Sequence, residues 1–91
     1  MQKKKIQKEN GSSSAGIALD LNSGCPIMEM IGNRRVTIEG STGLLRYESE
    51  NIKVNTAKIV LSFSGRNLTV SCISSTEVVI EGFITNIEFI T

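Results

Sequence analysis

The stretch Ile59–Cys72, IVLSFSGRNLTVSC, decides how the rest of the chain is read. Ile59, Leu61 and Phe63 occupy alternate positions, and after Gly65-Arg66 the alternation resumes at Leu68, Val70 and Cys72. A period of two places such a set on one face of a strand. Glycine at the first central position of a two-residue loop suits a type II′ turn, where φ is positive. The stretch is therefore expected to be a β-hairpin turning at Gly65. That turn sets Phe63 opposite Leu68, Leu61 opposite Val70 and Ile59 opposite Cys72, with Ser62, Ser64, Thr69 and Ser71 on the other face. A slip of one residue would send the apolar set into water, so pattern and turn favour a single register.

Working outward, Val36 and Ile38 alternate with Thr37 and Glu39 before a turn in Gly40–Gly43. Leu45 and Tyr47 resume the inner face, which pairs Ile38 with Leu45 and Val36 with Tyr47. Ile52 and Val54 then return opposite Tyr47 and Leu45. On the C-terminal side, Val78 and Ile80 are expected beside Cys72 and Val70. At Gly82 the parity changes, because Phe83, Ile87 and Phe89 carry the apolar set afterwards. An odd step of this kind is either a tight turn at Glu81-Gly82 or a β-bulge. Short strands spaced roughly 8–12 residues apart indicate a small sandwich or barrel. The expected fold is all-β: a small antiparallel meander of about six or seven short strands, forming a sandwich or open barrel. A short β-solenoid competes with it, because the units VTIEG, LSFSG and VVIEG recur; their unequal intervals count against a solenoid.

A chain of 91 residues makes one small domain. Aromatic content is only 4%, tryptophan is absent, and β-branched residues supply most of the apolar bulk, which favours strands. Residues 1–16 are polar and end in NGSSSAG, the composition of a flexible tail, so the folded domain is expected over 17–91. The net charge of +1 is unevenly spread. Before Pro26, four lysines stand against Glu9 and Asp20; after it, six basic residues stand against seven glutamates. The domain itself is close to neutral, and specific nucleic-acid recognition is not expected. No apolar run follows the N-terminal lysines as a signal peptide would require, so a cytoplasmic protein with reduced thiols is expected.

The sequence is poor in chemistry. It has no histidine, which removes the commonest general base and the Ser-His and Cys-His nucleophile pairs. Two cysteines without histidine make none of the usual zinc sets. Glu39, Glu48, Glu77, Glu81 and Glu88 fall on outer-face positions, where solvated carboxylates are ordinary. Cys72 is read as a small buried hydrophobe, and the inward phase of Tyr47, Phe63, Phe83 and Phe89 assigns them to the core rather than to base stacking. No catalytic residue, cofactor, metal or small-molecule substrate is therefore expected.

Two features remain for binding. Val60, Ile73, Val79, Ile84 and Ile90 are left pointing outward once the inner face is assigned. They form either a surface for a protein partner or second copy, or a face covered by residues 17–31. Lys3, Lys4, Lys5 and Lys8 are candidates for contact with an anionic membrane surface.

From Pro26 to Phe89 the sequence resembles the YabP/YqfC family of sporulation proteins, through PIMEMIGNRRVTIEG, GLLRYESENIKVNT, GRNLTV and VVIEGFITNIEF. The likeness is closest to the YqfC branch, because the aliphatic segment Ile17–Leu21 precedes the Pro26-Ile27 run. The resemblance implies a role in endospore formation in the mother cell. It implies no enzymatic activity, and a structural or adaptor part at a membrane complex with a membrane-embedded protein as partner. The alternative from a different class is a small β-domain that binds nucleic acid non-specifically through its basic tail.

Overall fold

Alternating β-branched and aromatic residues form strands wherever an inner face was expected. The computed structural model describes residues 24–91 and joins the strands into one open antiparallel sheet. The strands are β1 (Ile27–Ile31), β2 (Arg35–Glu39), β3 (Ser41–Glu48), β4 (Asn51–Thr56), β5 (Val60–Ile73) and β6 (Glu77–Ile90). Their order across the sheet is β1-β2-β6-β5-β4-β3. The described residues contain no helix, and no solenoid is formed. The antiparallel all-β class is as expected, but β2 leads into β3 on the opposite edge, around a corner at Gly40. There φ is 94°, and the N–H groups of Gly40 and Ser41 both donate to the Thr76 carbonyl, at 2.7 and 3.2 Å. The expected pairing of Ile38 with Leu45 and Val36 with Tyr47 is therefore replaced. Val36 and Ile38 lie between Met30 and Ile80 and between Met28 and Val78, respectively.

The largest correction concerns Gly65. It is not a turn: β5 runs through it for 14 residues, and the reversal comes at Ser74–Thr76. There the Ser74 N–H donates to the Glu77 carbonyl, and the Ser74 hydroxyl accepts from the N–H groups of Thr76 and Glu77. The φ of Gly65 is not left-handed. The residue is glycine because β6 passes directly over it, so that an added Cβ would collide with the carbonyl oxygen of Phe83. A bend and a turn both call for glycine, and both preserve the inner face, which is why alternation alone mistook one for the other.

Three irregularities bend the long β5–β6 ladder. Thr85 is an extra residue between the pairs Ser64↔Asn86 and Gly65↔Ile84. Asn67 and Leu68 together oppose Gly82, with Asn67 at a left-handed φ of 55°. Ser71 is extra between Val70↔Ile80 and Cys72↔Val79. Gly82 is thus neither turn nor extra residue; it lies within β6, opposite the bulge, at φ 140°. The change of parity comes three residues later, at Thr85. Ile84 therefore keeps the phase of Val78 and Ile80, and Phe83 points outward. The extra Ser71 likewise turns Cys72 to an exposed position and Ile73 to the core-facing phase, opposite Val78.

The bend divides the sheet into two equivalent arms. In one, β2 pairs with the first part of β6; in the other, β4 pairs with the first part of β5. Each arm closes with a hairpin whose tip docks on the bend. Gly82 and Ile84 donate to the carbonyls of Arg34 and Asn33, just as Gly65 and Leu68 donate to those of Glu50 and Ser49. Leu61-Ser-Phe63-Ser-Gly65 and Val78-Val-Ile80-Glu-Gly82 thus occupy matching places in the two arms, while the third unit, Val36–Gly40, lies along β2 beside the second of them, and no solenoid results.

Curling of the arms brings their inner faces together. Val36, Ile38, Val78 and Ile80 from one arm pack with Ile52, Val54, Leu61 and Phe63 from the other, and Leu68 and Ile84 fill the bend. Tyr47 reaches across the opening to accept a hydrogen bond from the Val70 N–H at 3.0 Å. Tyr47 pairs with Ile52 as expected, whereas Val54 pairs with Leu44, because the ladder shifts between Leu44 and Arg46 and leaves Leu45 exposed. Tyr47→Phe removes the acceptor but keeps the ring, and a loss of about 1 kcal/mol in a denaturant titration is expected. The tail over 1–16, with Lys3, Lys4, Lys5 and Lys8, and the segment Ile17–Leu21 lie outside the described residues.

Candidate interaction surface

Among the described residues, no three side chains of the His, Cys, Asp and Glu types come close enough to hold a metal ion. The outer-face glutamates are surface groups. Glu81 pairs with Arg35 at 3.4 Å and Glu48 meets Arg46 at 3.9 Å, both in solvent, where such pairs contribute little.

The five aliphatics read as an outward patch do not form one. Ile84 is 4% exposed and belongs to the core, because the parity change falls after it and not at Gly82. Val79, 5% exposed, does point away from the core but is covered, with Thr37 and Cys72 as its cross-strand neighbours. Ile73 has moved to the other face. Val60 and Ile90 face each other across the β5–β6 ladder, Val60 half-buried and Ile90 exposed. Within residues 17–31, Ile27–Ile31 forms the edge strand β1 and pairs with β2 alone, so it does not lie over that face. The aromatic assignment also changes. Only Phe63 is buried; Tyr47, Phe83 and Phe89 are exposed.

Exposed apolar groups concentrate instead on β1, where Ile27, Met30 and Ile31 are exposed and Glu29 is the sole charge. The two edges of the sheet differ in kind. β3 is interrupted by two register shifts and carries Arg46 and Glu48, devices that blunt an edge. β1 keeps an unbroken register over all five residues and carries a single charge, Glu29.

Next to the end of β1 lies a second feature. Arg34, in the β1–β2 turn, and Arg66, at the β5 bulge, both stand against the ring of Phe83, with guanidinium carbons 4.1 and 5.3 Å from its centroid. The backbone holds Arg34 from both directions: its carbonyl accepts from the Gly82 N–H at 3.0 Å, and its Nε donates to the Gly82 carbonyl at 3.2 Å. Asn33 Nδ2 adds a bond to the Ile84 carbonyl at 3.2 Å. Sequence reading missed this cluster. It placed Phe83 inward, and only the bend brings Arg66 beside a turn that precedes it by some thirty residues.

A sequence model of the YabP family matches residues 26–91, which include all six strands. No curated protein matches the chain.

Proposed function

The chain belongs to the YabP family, which makes it a sporulation-associated protein, and we propose that it serves this process as a non-enzymatic adaptor. In this reading it works in the mother cell, where it holds a protein partner at a membrane-associated complex, and within the family it stands with the YqfC branch. The observation that supports an adaptor most directly is the β1 edge. An edge strand of unbroken register with exposed Ile27, Met30 and Ile31 is suited to accept a strand or apolar segment from another chain. The basic tail complements it, since Lys3, Lys4, Lys5 and Lys8 would each add about 1 kcal/mol at an anionic surface.

Ile27→Lys with Ile31→Lys tests the edge. Both side chains lie on the solvent side of β1, so the melting midpoint should stay within the range of ordinary surface changes, about 0.5 kcal/mol. A fluorescent fusion of the wild-type chain in sporulating cells should outline the mother-cell membrane that faces the forespore, and the double variant should be diffuse. A wild-type signal spread through the cytoplasm would remove the adaptor reading. The tail is tested separately by sedimentation with phosphatidylglycerol vesicles. The whole chain should pellet, and a chain lacking residues 1–10 should stay largely in solution.

A further inference from the structure

We propose that Arg34, Phe83 and Arg66 form a docking site for a carboxylate-bearing segment of a protein partner, an inference that rests on the adaptor reading above. Three separate stretches of chain build the site. Phe83 and Arg66 are direct partners in the β5–β6 ladder, and the β1–β2 turn delivers Arg34. The aromatic ring and the Gly82 carbonyl hold the guanidinium of Arg34 in place, leaving its terminal amino groups for a ligand.

Charge indicates what that ligand is. Among the described residues the ion pairs are Arg35–Glu81 and Arg46–Glu48, and neither Arg34 nor Arg66 has a carboxylate of its own. Two like charges share one neutral ring, an arrangement that an incoming anion relieves.

The choice of arginine narrows the class further. Three of the chain's four arginines lie on this surface, whereas Lys53 and Lys58 belong to the other arm and its loop. A diffuse anionic membrane attracts lysine as well as arginine. A planar fork prepositioned on an aromatic ring is instead the geometry that grips a carboxylate with two parallel hydrogen bonds. Arginine and aromatic residues are also those enriched where proteins bind one another. Beside the cluster, on the same face, Ile31 is 68% exposed in the row shared with Arg35 and Glu81. The partner segment therefore carries carboxylates with an apolar side chain next to them.

The test follows the Nε–Hε signals of the arginines in ¹⁵N-labelled full-length protein during titration with a polyglutamate peptide, with phosphatidylglycerol vesicles as the second arm. Saturable shifts at Arg34 and Arg66, with Arg46 unmoved, are expected from the peptide. R34K with R66K keeps the charge and removes the forks, and should weaken peptide binding at least tenfold while the chain still melts in one cooperative transition. Equal binding by the lysine variant would overturn the proposal, as would shifts at Arg46 as large as the others. A response to vesicles but not to peptide would replace it with a membrane contact. Failure here with the fusion still at the membrane removes the docking site and leaves the adaptor reading intact. A diffuse fusion removes that reading on its own terms.

Discussion

Gly65→Ala should remove a large share of this domain's stability. The new methyl would collide with the carbonyl oxygen of Phe83 and lie 2.9 Å from its carbonyl carbon and 3.1 Å from the Cα of Ile84. All three atoms are β6 backbone, so no side chain can step aside. Relief requires the strands to part at the bend, where the Gly65 and Leu68 N–H groups are bonded to the β3–β4 turn. A cost above about 4 kcal/mol is expected, against a total of roughly 5–15 kcal/mol for a domain of ordinary stability. Gly32→Ala is the control. That glycine has φ 50° but no atom within 4 Å of an added Cβ, so only the left-handed backbone penalty applies, about 1–2 kcal/mol. Circular dichroism and thermal melts of the two variants should separate them clearly. A Gly65→Ala melt as mild as that of Gly32→Ala would show that β6 does not pass over Gly65.

Phe63→Ala comes second in size. Phe63 is fully buried, is paired with Ile52 on one side and Ile87 on the other, and packs in the cluster where the two arms meet. Removing its ring leaves a cavity lined by both arms, and a loss of roughly 3–5 kcal/mol is expected from urea titration. Phe89 shares the phase of Phe63 along the inner face yet is 57% exposed at the end of β6. Phe89→Ala should therefore cost under about 1 kcal/mol. Similar losses at the two positions would mean that the core extends further along the arms than the packing indicates.

Periodicity alone assigns much of this protein's inner face. Val36 and Ile38, Ile52 and Val54, Leu61 and Phe63, and Val78 and Ile80 are inner-face pairs in the sequence and core pairs in the fold. Alternation is a property of consecutive residues in an extended chain, so it is written locally and survives whichever strand becomes the neighbour. Two pairings across short connections were legible for the same reason, Tyr47 with Ile52 and Val70 with Ile80.

Tertiary structure decided what no local pattern encodes. Whether the chain reverses or bends at Gly65 depends on the Phe83 carbonyl above it, a group beyond a whole intervening turn. The phase of Ile84 and Phe83 depends on Thr85 being left unpaired, which is a property of the ladder and not of the strand. The interaction surface shares that origin. Arg34, Arg66 and Phe83 carry no common spacing, and they meet because the β1–β2 turn and the β5 bulge both dock where β6 bends. Side-chain phase is set by the chain's own covalent geometry. Which strands lie together, and where they bend, is set by backbone hydrogen bonds and close packing between segments far apart in sequence.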